Sequence, residues 1–280
     1  MEDLKITCDT PSSLAGSWSS SAHDLLNTLI QTQGKAISTA AQWCAESILN
    51  EGMVHLFGTG HSRIPLEEMF PRYGSFAGFN PMGELSMTFH TQVVGSNGQR
   101  QAMFIERVEG FAEQILSNWQ FEANDILMVF SVGGQTAVPI EMAMGARARG
   151  LKVIAVTSVA QNKSGNPTHS SGTVLCENAD LVIDLVTPVG DAMVSIPGMQ
   201  TPVGPGSTVT AIAIVNEIKV QVADLLVQHG YVPPVLTSSS VVGKEESRRL
   251  FDAAYAEHAR RVSTRLTGAG RLQGGDASAS

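Results

Sequence analysis

From residue 22 onward the apolar positions Leu26, Leu29, Ile30, Ile37, Ala41, Cys44 and Ile48 recur at helical spacing behind a run of serines. This pattern predicts one long amphipathic helix from Ala22 to Leu49, capped in the serine run. After Gly52 the period changes. Met53 to Phe57 is a short apolar run, followed by Gly58, Gly60 and a polar segment able to begin a helix. The same succession returns at Ile126 to Phe130, then the loop Ser131 to Thr136, then the helix-prone IEMAMGARARG, which Gly150 closes as its C-cap. Lys152 to Thr157 reads as the next strand, and Leu181 to Leu185 as another after the polar stretch Gln161 to Ser171. Strands alternating with helices predict a mostly parallel sheet covered on both faces. Thr208 to Val227 is apolar except for Asn216, Glu217, Lys219 and Asp224, so it reads as a buried helix and not a membrane span. A closing helix is expected from Lys244 to Leu266, on Leu250, Phe251, Ala254, His258 and Arg261, before a glycine- and serine-rich tail that should fray. Met142 and Met144 are read as core.

Composition narrows the class. With 43% hydrophobic residues in 280, the chain has enough apolar surface for a packed core, which excludes a disordered chain. A net charge of −8 and the lack of a dense basic run before Arg248 argue against a nucleic-acid grip. The opening MEDLKITCDT has neither the basic nor the apolar region of a secretion signal. Cys8, Cys44 and Cys176 are odd in number and widely spaced, which fits no disulfide framework or metal knuckle. A reducing, cytoplasmic setting is the simplest expectation.

The glycine turns carry the first chemistry. A strand ending in Gly and small hydroxyl residues before a helix gathers free backbone N–H groups and the helix's positive end at one point, which suits an anion. Ser131-Val132-Gly133-Gly134-Gln135-Thr136 is one such loop and Gly58-Thr59-Gly60-His61-Ser62 another. On neighbouring parallel strands, both would open at the carboxyl end of the sheet. One such loop alone is as readily structural, because tight turns favour the same residues; two shift the reading toward binding. Arg63 stands where a dinucleotide fold needs its third glycine, no Lys follows either loop as in a P-loop, and no G-x-S-x-G elbow occurs.

The segments HLFGTGHSRIPLEEMFPRYG, FSVGGQTAVPIEMA, VIAVTS, NPTHSSG, TPVGDAMV and VGPGSTVTAIAIVNEI, in that order, resemble the sugar isomerase (SIS) family of phosphosugar-binding domains, in its phosphoheptose-isomerase-like branch. The resemblance implies an α/β fold: a three-layer αβα sandwich with a five-stranded parallel sheet, flavodoxin-like, with long N-terminal and C-terminal helices. It divides the chain into an arm over 1–20, a phosphosugar-binding domain over 21–243, and a helix with flexible tail over 244–280. It implies a sugar phosphate as ligand, no cofactor, and a homodimer or homotetramer. By matched position, Gly60, Ser62, Ser131, Gly133, Gly134 and Thr136 would cradle the phosphate. The usual loop is S-x-S-G-x-[ST], so Gly133 lacks a hydroxyl, at a cost to anion binding of about 1.5 to 3 kcal/mol.

Aldose–ketose isomerisation needs a base beside a carbonyl and an acid or cation to manage charge on oxygen. Glu67 and Glu68 stand together after the first loop; adjacent helical residues point about 100° apart and should not share a pocket. By its place in E-M-F-P-R, Glu68 resembles the catalytic Glu of phosphoheptose isomerases, and the plainer reading is a solvated pair near a helix start. Lys219 stands where that family supplies a catalytic His; it is a candidate acid or a buried partner of Glu217. His61 lies inside the first loop and is either a substrate contact or solvated. Metal-bearing isomerases carry a His four residues before the Glu, and Ile64 occupies that place, so no metal is expected. His169 is read as covering the site, bridging subunits or closing a turn; Asp191 as orienting a hydroxyl or pairing a cation. The resulting function is a phosphosugar isomerase working by Glu-mediated proton transfer, with a non-catalytic phosphosugar sensor or a sugar-phosphate ether lyase as alternatives.

Overall fold

The computed structural model describes residues 12–88 and 99–266. Cys8, most of the arm and the tail from 267 lie outside the described residues. Helix α1 (Ser17–Leu49) begins five residues before the expected start, because the serines read as a cap are themselves helical and Gly16, at φ 82°, precedes them. Its buried face holds Leu29, Ile37, Ala41, Cys44 and Ile48, whereas Ile30 is 65% exposed. Ile30 lies about 100° around the helix from Leu29, outside the buried stripe, although further along adjacent pairs such as Ala40 and Ala41 are both buried.

Strand β1 (Val54–Gly58) leads through α2 (Ile64–Met69) to β2 (Phe79–Pro81), then α3 (Leu85–Thr88), α4 (Gln99–Ile105) and α5 (Phe111–Leu116). Strand β3 (Ile126–Phe130) is followed by α6 (Ala137–Ala148), β4 (Lys152–Thr157), α7 (Val159–Ser164) and β5 (Leu181–Asp184). A two-stranded antiparallel hairpin, β6 (Ala192–Val194) with β7 (Val203–Pro205), precedes α8 (Ser207–Gln228), and α9 (Ser239–Val242) and α10 (Lys244–Ser263) close the described chain. The main sheet is five-stranded and wholly parallel, in the order β2-β1-β3-β4-β5. This is the α/β fold that the alternating pattern and the resemblance led us to expect. The expected β1 is shifted by one residue and the expected β5 runs one residue too far, and β2 had no signal: it is a three-residue edge strand ending in proline, a residue that central strands exclude.

The pleat sorts the side chains. Val54, Leu56, Ile126, Met128, Ile154 and Val156 pack with α1 and α8 on one face, while Phe57, Leu127, Val129, Val153 and Ala155 pack with α5 and α6 on the other. Met142 is fully buried in the second layer, but Met144 is 38% exposed. Two positions apart on a helix lie on opposite sides, which corrects its reading as core. Helix α6 ends as the sequence suggested: Leu151 donates to the Ala146 carbonyl and Gly150, at φ 84°, to that of Arg147. Among the described residues no helix is long and apolar enough to cross a membrane. Cys44 is free, and burial pushes its thiol up to about 12.

A buried polar knot ties the C-terminal helix to the sheet. Asp125, just before β3, accepts the N–H groups of Met53 and Glu122, both at 2.8 Å, and the Arg265 guanidinium at 2.9 Å. Asn80 donates to His55 Nδ1 at 3.0 Å, which leaves His55 Nε2–H to donate to Asp125 at 3.3 Å. Burial pushes the Asp125 carboxyl up, but the hydrogen bonds from His55 and Arg265 outweigh it and hold the group below the usual aspartate range. Asp125→Ala leaves Arg265, 4% exposed, without its counter-charge, and should lower stability by about 3 to 5 kcal/mol at pH 7 in urea unfolding. Because the folded-state value is depressed, the contribution is complete above the unfolded aspartate pKa of about 3.9. The gap between wild type and variant should therefore close as pH falls below that value.

Candidate functional site

The chain steps from β1 outward to β2 and returns on the other side to β3, so the β1/β3 boundary is where the winding reverses. Ligands of open parallel sheets sit beyond the carboxyl ends of the strands at such a point. Here the two glycine loops meet. A crevice of about 470 Å³ is lined by the first loop, by the whole of Ser131–Thr136, and by Glu106, Gln161 and Asp191. That volume lies within the ordinary range for small-molecule sites. A water-sized space of about 20 Å³ beneath it reaches Ser207 and Thr208 at the start of α8.

The second loop is built from within. Gly134 sits at φ 60°, and a Cβ there would lie 2.4 Å from the Asn162 carboxamide, so only glycine fits. Asn162 in turn donates to the Gly133 carbonyl at 3.0 Å and to Thr157 Oγ1 at 2.7 Å, pinning the loop from below. Gly134 N–H is taken by Ser131 Oγ at 3.2 Å, which leaves that hydroxyl's proton for a ligand. Thr136 is the N-cap of α6 and makes no side-chain cap bond, so its hydroxyl is open. Gly133 is different from Gly134: a Cβ there would meet only Gln161 Nε2, at 3.8 Å.

The first loop contributes less helix charge than the sequence suggested. It passes through a single 3₁₀ turn, Gly60–Arg63, into the six-residue α2, so the helix end that favours an anion belongs to the twelve-residue α6. His61 and Ser62 both line the crevice.

Glu68 and Lys219 are brought together, but beside the crevice. Glu68 lines a groove of about 550 Å³ on the far side of α2, with Glu67, Arg72, Tyr73, Phe251 and Tyr255. Both glutamates thus line one groove, contrary to expectation; α2 is one short turn and a half at the surface, so the groove wraps around it. Glu67 is mostly exposed and pairs with Arg63, while Glu68, half-hidden, pairs with Arg72 and accepts a hydrogen bond from Asn216 at 3.0 Å. Burial pushes the Glu68 carboxyl up, but the bonds from Asn216 and Arg72, with the charges of Arg72 and Lys219, hold it below the usual glutamate range. Lys219 is buried and donates to the Glu68 main-chain carbonyl at 2.9 Å and to Ser75 Oγ at 3.2 Å, not to Glu217, which is exposed. Burial lowers its pKa, against the opposing pull of Glu68.

Asp191 closes the start of α8: its carboxylate accepts the N–H groups of Gly206 and Ser207 at 3.1 and 2.7 Å, and the Ser207 hydroxyl at 2.5 Å. His169 does not line the crevice. Its Nδ1 accepts the Ser171 N–H at 3.1 Å, so Nε2 carries the proton and points between Glu141, at 3.3 Å, and Glu109, at 3.9 Å. Among the described residues these three are the group whose ligand atoms could surround a metal. With Nε2 protonated and Glu109 also accepting both donors of Ser170 at 2.6 Å, they form a loop clasp. Glu106 and Gln161 had no sequence signal, because each reaches the crevice from an element remote in sequence from the loops it joins.

Residues 17–158 match the SIS domain family. The UPF0309 protein of Streptomyces griseus is 34% identical over 238 residues, covering 84% of this chain and 92% of that protein. The UPF0309 protein of Geobacillus thermodenitrificans is 31% identical, covering 84% and 92%. A phosphoheptose isomerase from Francisella tularensis is similar in structure at a TM-score of 0.47 and 18% identity, over 74% of this chain and 95% of that one.

The two loop glycines should respond oppositely to substitution. Gly134→Ala should cost about 1 to 3 kcal/mol in thermal unfolding, through its backbone angle and the clash with Asn162. Gly133→Ser should leave stability within about 0.5 kcal/mol and tighten inorganic phosphate in calorimetric titration.

Proposed function

Because the chain belongs to the SIS domain family, we propose that it binds a sugar phosphate in the β1/β3 crevice and interconverts its aldose and ketose forms. The observation that carries this reading is the convergence of both glycine loops on one crevice of ligand size at the reversal of the winding. Gly134 and the hydroxyls of Ser131, Thr136 and Ser62 give that crevice the shape and donors a phosphate needs, with Gly60 and Gly133 letting the main chain approach. Isomerisation then requires a proton to leave the carbon beside the carbonyl and return to its neighbour. Glu68 is the proposed base: its lowered pKa keeps it ionised at neutral pH. His61, in the crevice itself, is placed to serve the sugar oxygens, and Lys219 holds the Glu68 backbone and adds positive charge beside it. Since Glu68 lines the adjoining groove, a neighbouring copy in a homodimer or homotetramer completes the site in this reading. The proposed setting is the cytoplasm, with no cofactor, nucleic acid or membrane partner.

A second reading, a phosphosugar sensor without turnover, is favoured by one observation: both Glu68 oxygens are engaged, by Arg72 and Asn216, outside the crevice. Solvent deuterium exchange at the carbon beside the carbonyl, followed by NMR across C6 and C7 sugar phosphates, separates the two. We expect exchange, its abolition in Glu68→Gln with binding kept, and weakened binding in Thr136→Ala by about 1.5 to 3 kcal/mol. The acid limb of the exchange rate should lie below the ordinary glutamate value of about 4.3, because the base must be ionised and its pKa is depressed. Tight binding with no exchange would establish the sensor, and turnover surviving in Glu68→Gln would remove Glu68 as the base.

A further inference from the structure

Resting on the phosphosugar reading, we infer that Glu106 and Gln161 select the ligand, so that the crevice takes a phosphate ester whose other groups are neutral hydrogen-bond donors and rejects one bearing a second anion. Glu106 is tied to both phosphate loops at once. Its carbonyl accepts the N–H of Val138 in the first turn of α6 at 3.0 Å, and its Oε1 accepts the Thr59 hydroxyl of the first loop at 2.5 Å. Among the described residues its second oxygen makes no hydrogen bond, and the side chain lines the crevice. A carboxylate held so firmly cannot swing away, so a bound ester must turn its hydroxyl-bearing end, not its phosphate, toward Glu106.

Gln161 approaches from the opposite wall. Its backbone is fixed on both sides: its N–H meets Ser158 Oγ at 3.4 Å, and its carbonyl accepts Gln135 Nε2 at 2.6 Å and Ser164 Oγ at 3.0 Å. Its side-chain Oε1 is buried with no donor. That oxygen is closed to solvent, so the group the side chain can offer a ligand in the crevice is its Nε2–H. The carboxamide lies alongside Gly133, where the resemblance leads one to expect a serine hydroxyl. Gln161 thus supplies a polar group at the place the loop has lost one.

Charge decides the rest. The described lining of the crevice holds Glu106, Asp191 and His61 and no Lys or Arg. Asp191 has both oxygens committed to the start of α8, so Glu106 is the carboxylate with an oxygen to offer. It accepts from a sugar hydroxyl and repels a carboxylate. On this inference a sugar phosphate carrying a lactyl ether, the substrate of the ether-lyase alternative, is a poor fit.

The test compares glucose 6-phosphate and fructose 6-phosphate with 6-phosphogluconate, which has the same carbon skeleton with a carboxylate at C1, by calorimetric titration. Wild type should prefer the neutral sugars by about tenfold or more, as like-charge juxtaposition demands. Glu106→Gln should bring that ratio toward one by tightening 6-phosphogluconate. Gln161→Ala should weaken the sugars and inorganic phosphate alike, several-fold, because Gln161 stands in for the hydroxyl that Gly133 lacks. Equal wild-type affinities, or a ratio indifferent to Glu106→Gln, would overturn the inference while leaving phosphosugar binding intact. If neither the sugars nor inorganic phosphate bind, the phosphosugar reading itself falls. Should a variant fail to fold, the wild-type ratio alone decides.

Discussion

The parallel pairing of β1 with β3 is the constraint on which the rest depends. Five residues of each strand are in register, from Val54 opposite Ile126 to Gly58 opposite Phe130. They therefore end together, and the turns that follow must emerge side by side. Residue 60 is thereby brought to residue 134, and Glu106 bridges the two turns from the side. Because side chains alternate along each strand, a slip of one residue would turn Phe57 and Val129 out of their core layer. The hydrophobic pattern thus protects the alignment of the two polar loops.

That dependence explains what could be read from the sequence. The long helices were legible by the period of their buried face, and the central strands by unbroken apolar runs, since both of their faces are buried. The loops were legible because their glycines are demanded locally, as Gly134 shows. Edge strand β2 and hairpin β6–β7 escaped, since three-residue strands carry no periodic signal. Glu106, Gln161 and Asn162 escaped for another reason. Their places, two in the crevice and Asn162 beneath its second loop, are set by hydrogen bonds to Thr59, Gln135 and Gly133, which lie 26 to 47 residues away. The crevice residues also lie across α2 from Glu68, a separation that neither helix spacing nor motif order encodes.

The buried charges divide into two kinds. Asp125, His55 and Arg265 satisfy one another at the end of the sheet away from the crevice and fasten α10 in place. Glu68, Arg72, Asn216 and Lys219 form a network at the edge of a solvent-facing groove, where some of the charge is still accessible. The first arrangement is closed and suits stability; the second is open and suits chemistry, since perturbed groups beside a cleft are where proton transfer is usually arranged.

Asp191 has a consequence for how strongly a ligand is held. By occupying the start of the 22-residue α8, it discharges that helix internally. A visitor to the crevice then meets oriented dipoles in place of full positive charges. Mobile ions screen charges far more than they disturb short, sheltered dipolar contacts. Grip of this sort is governed by fit and stays nearly constant as the surrounding ionic strength changes.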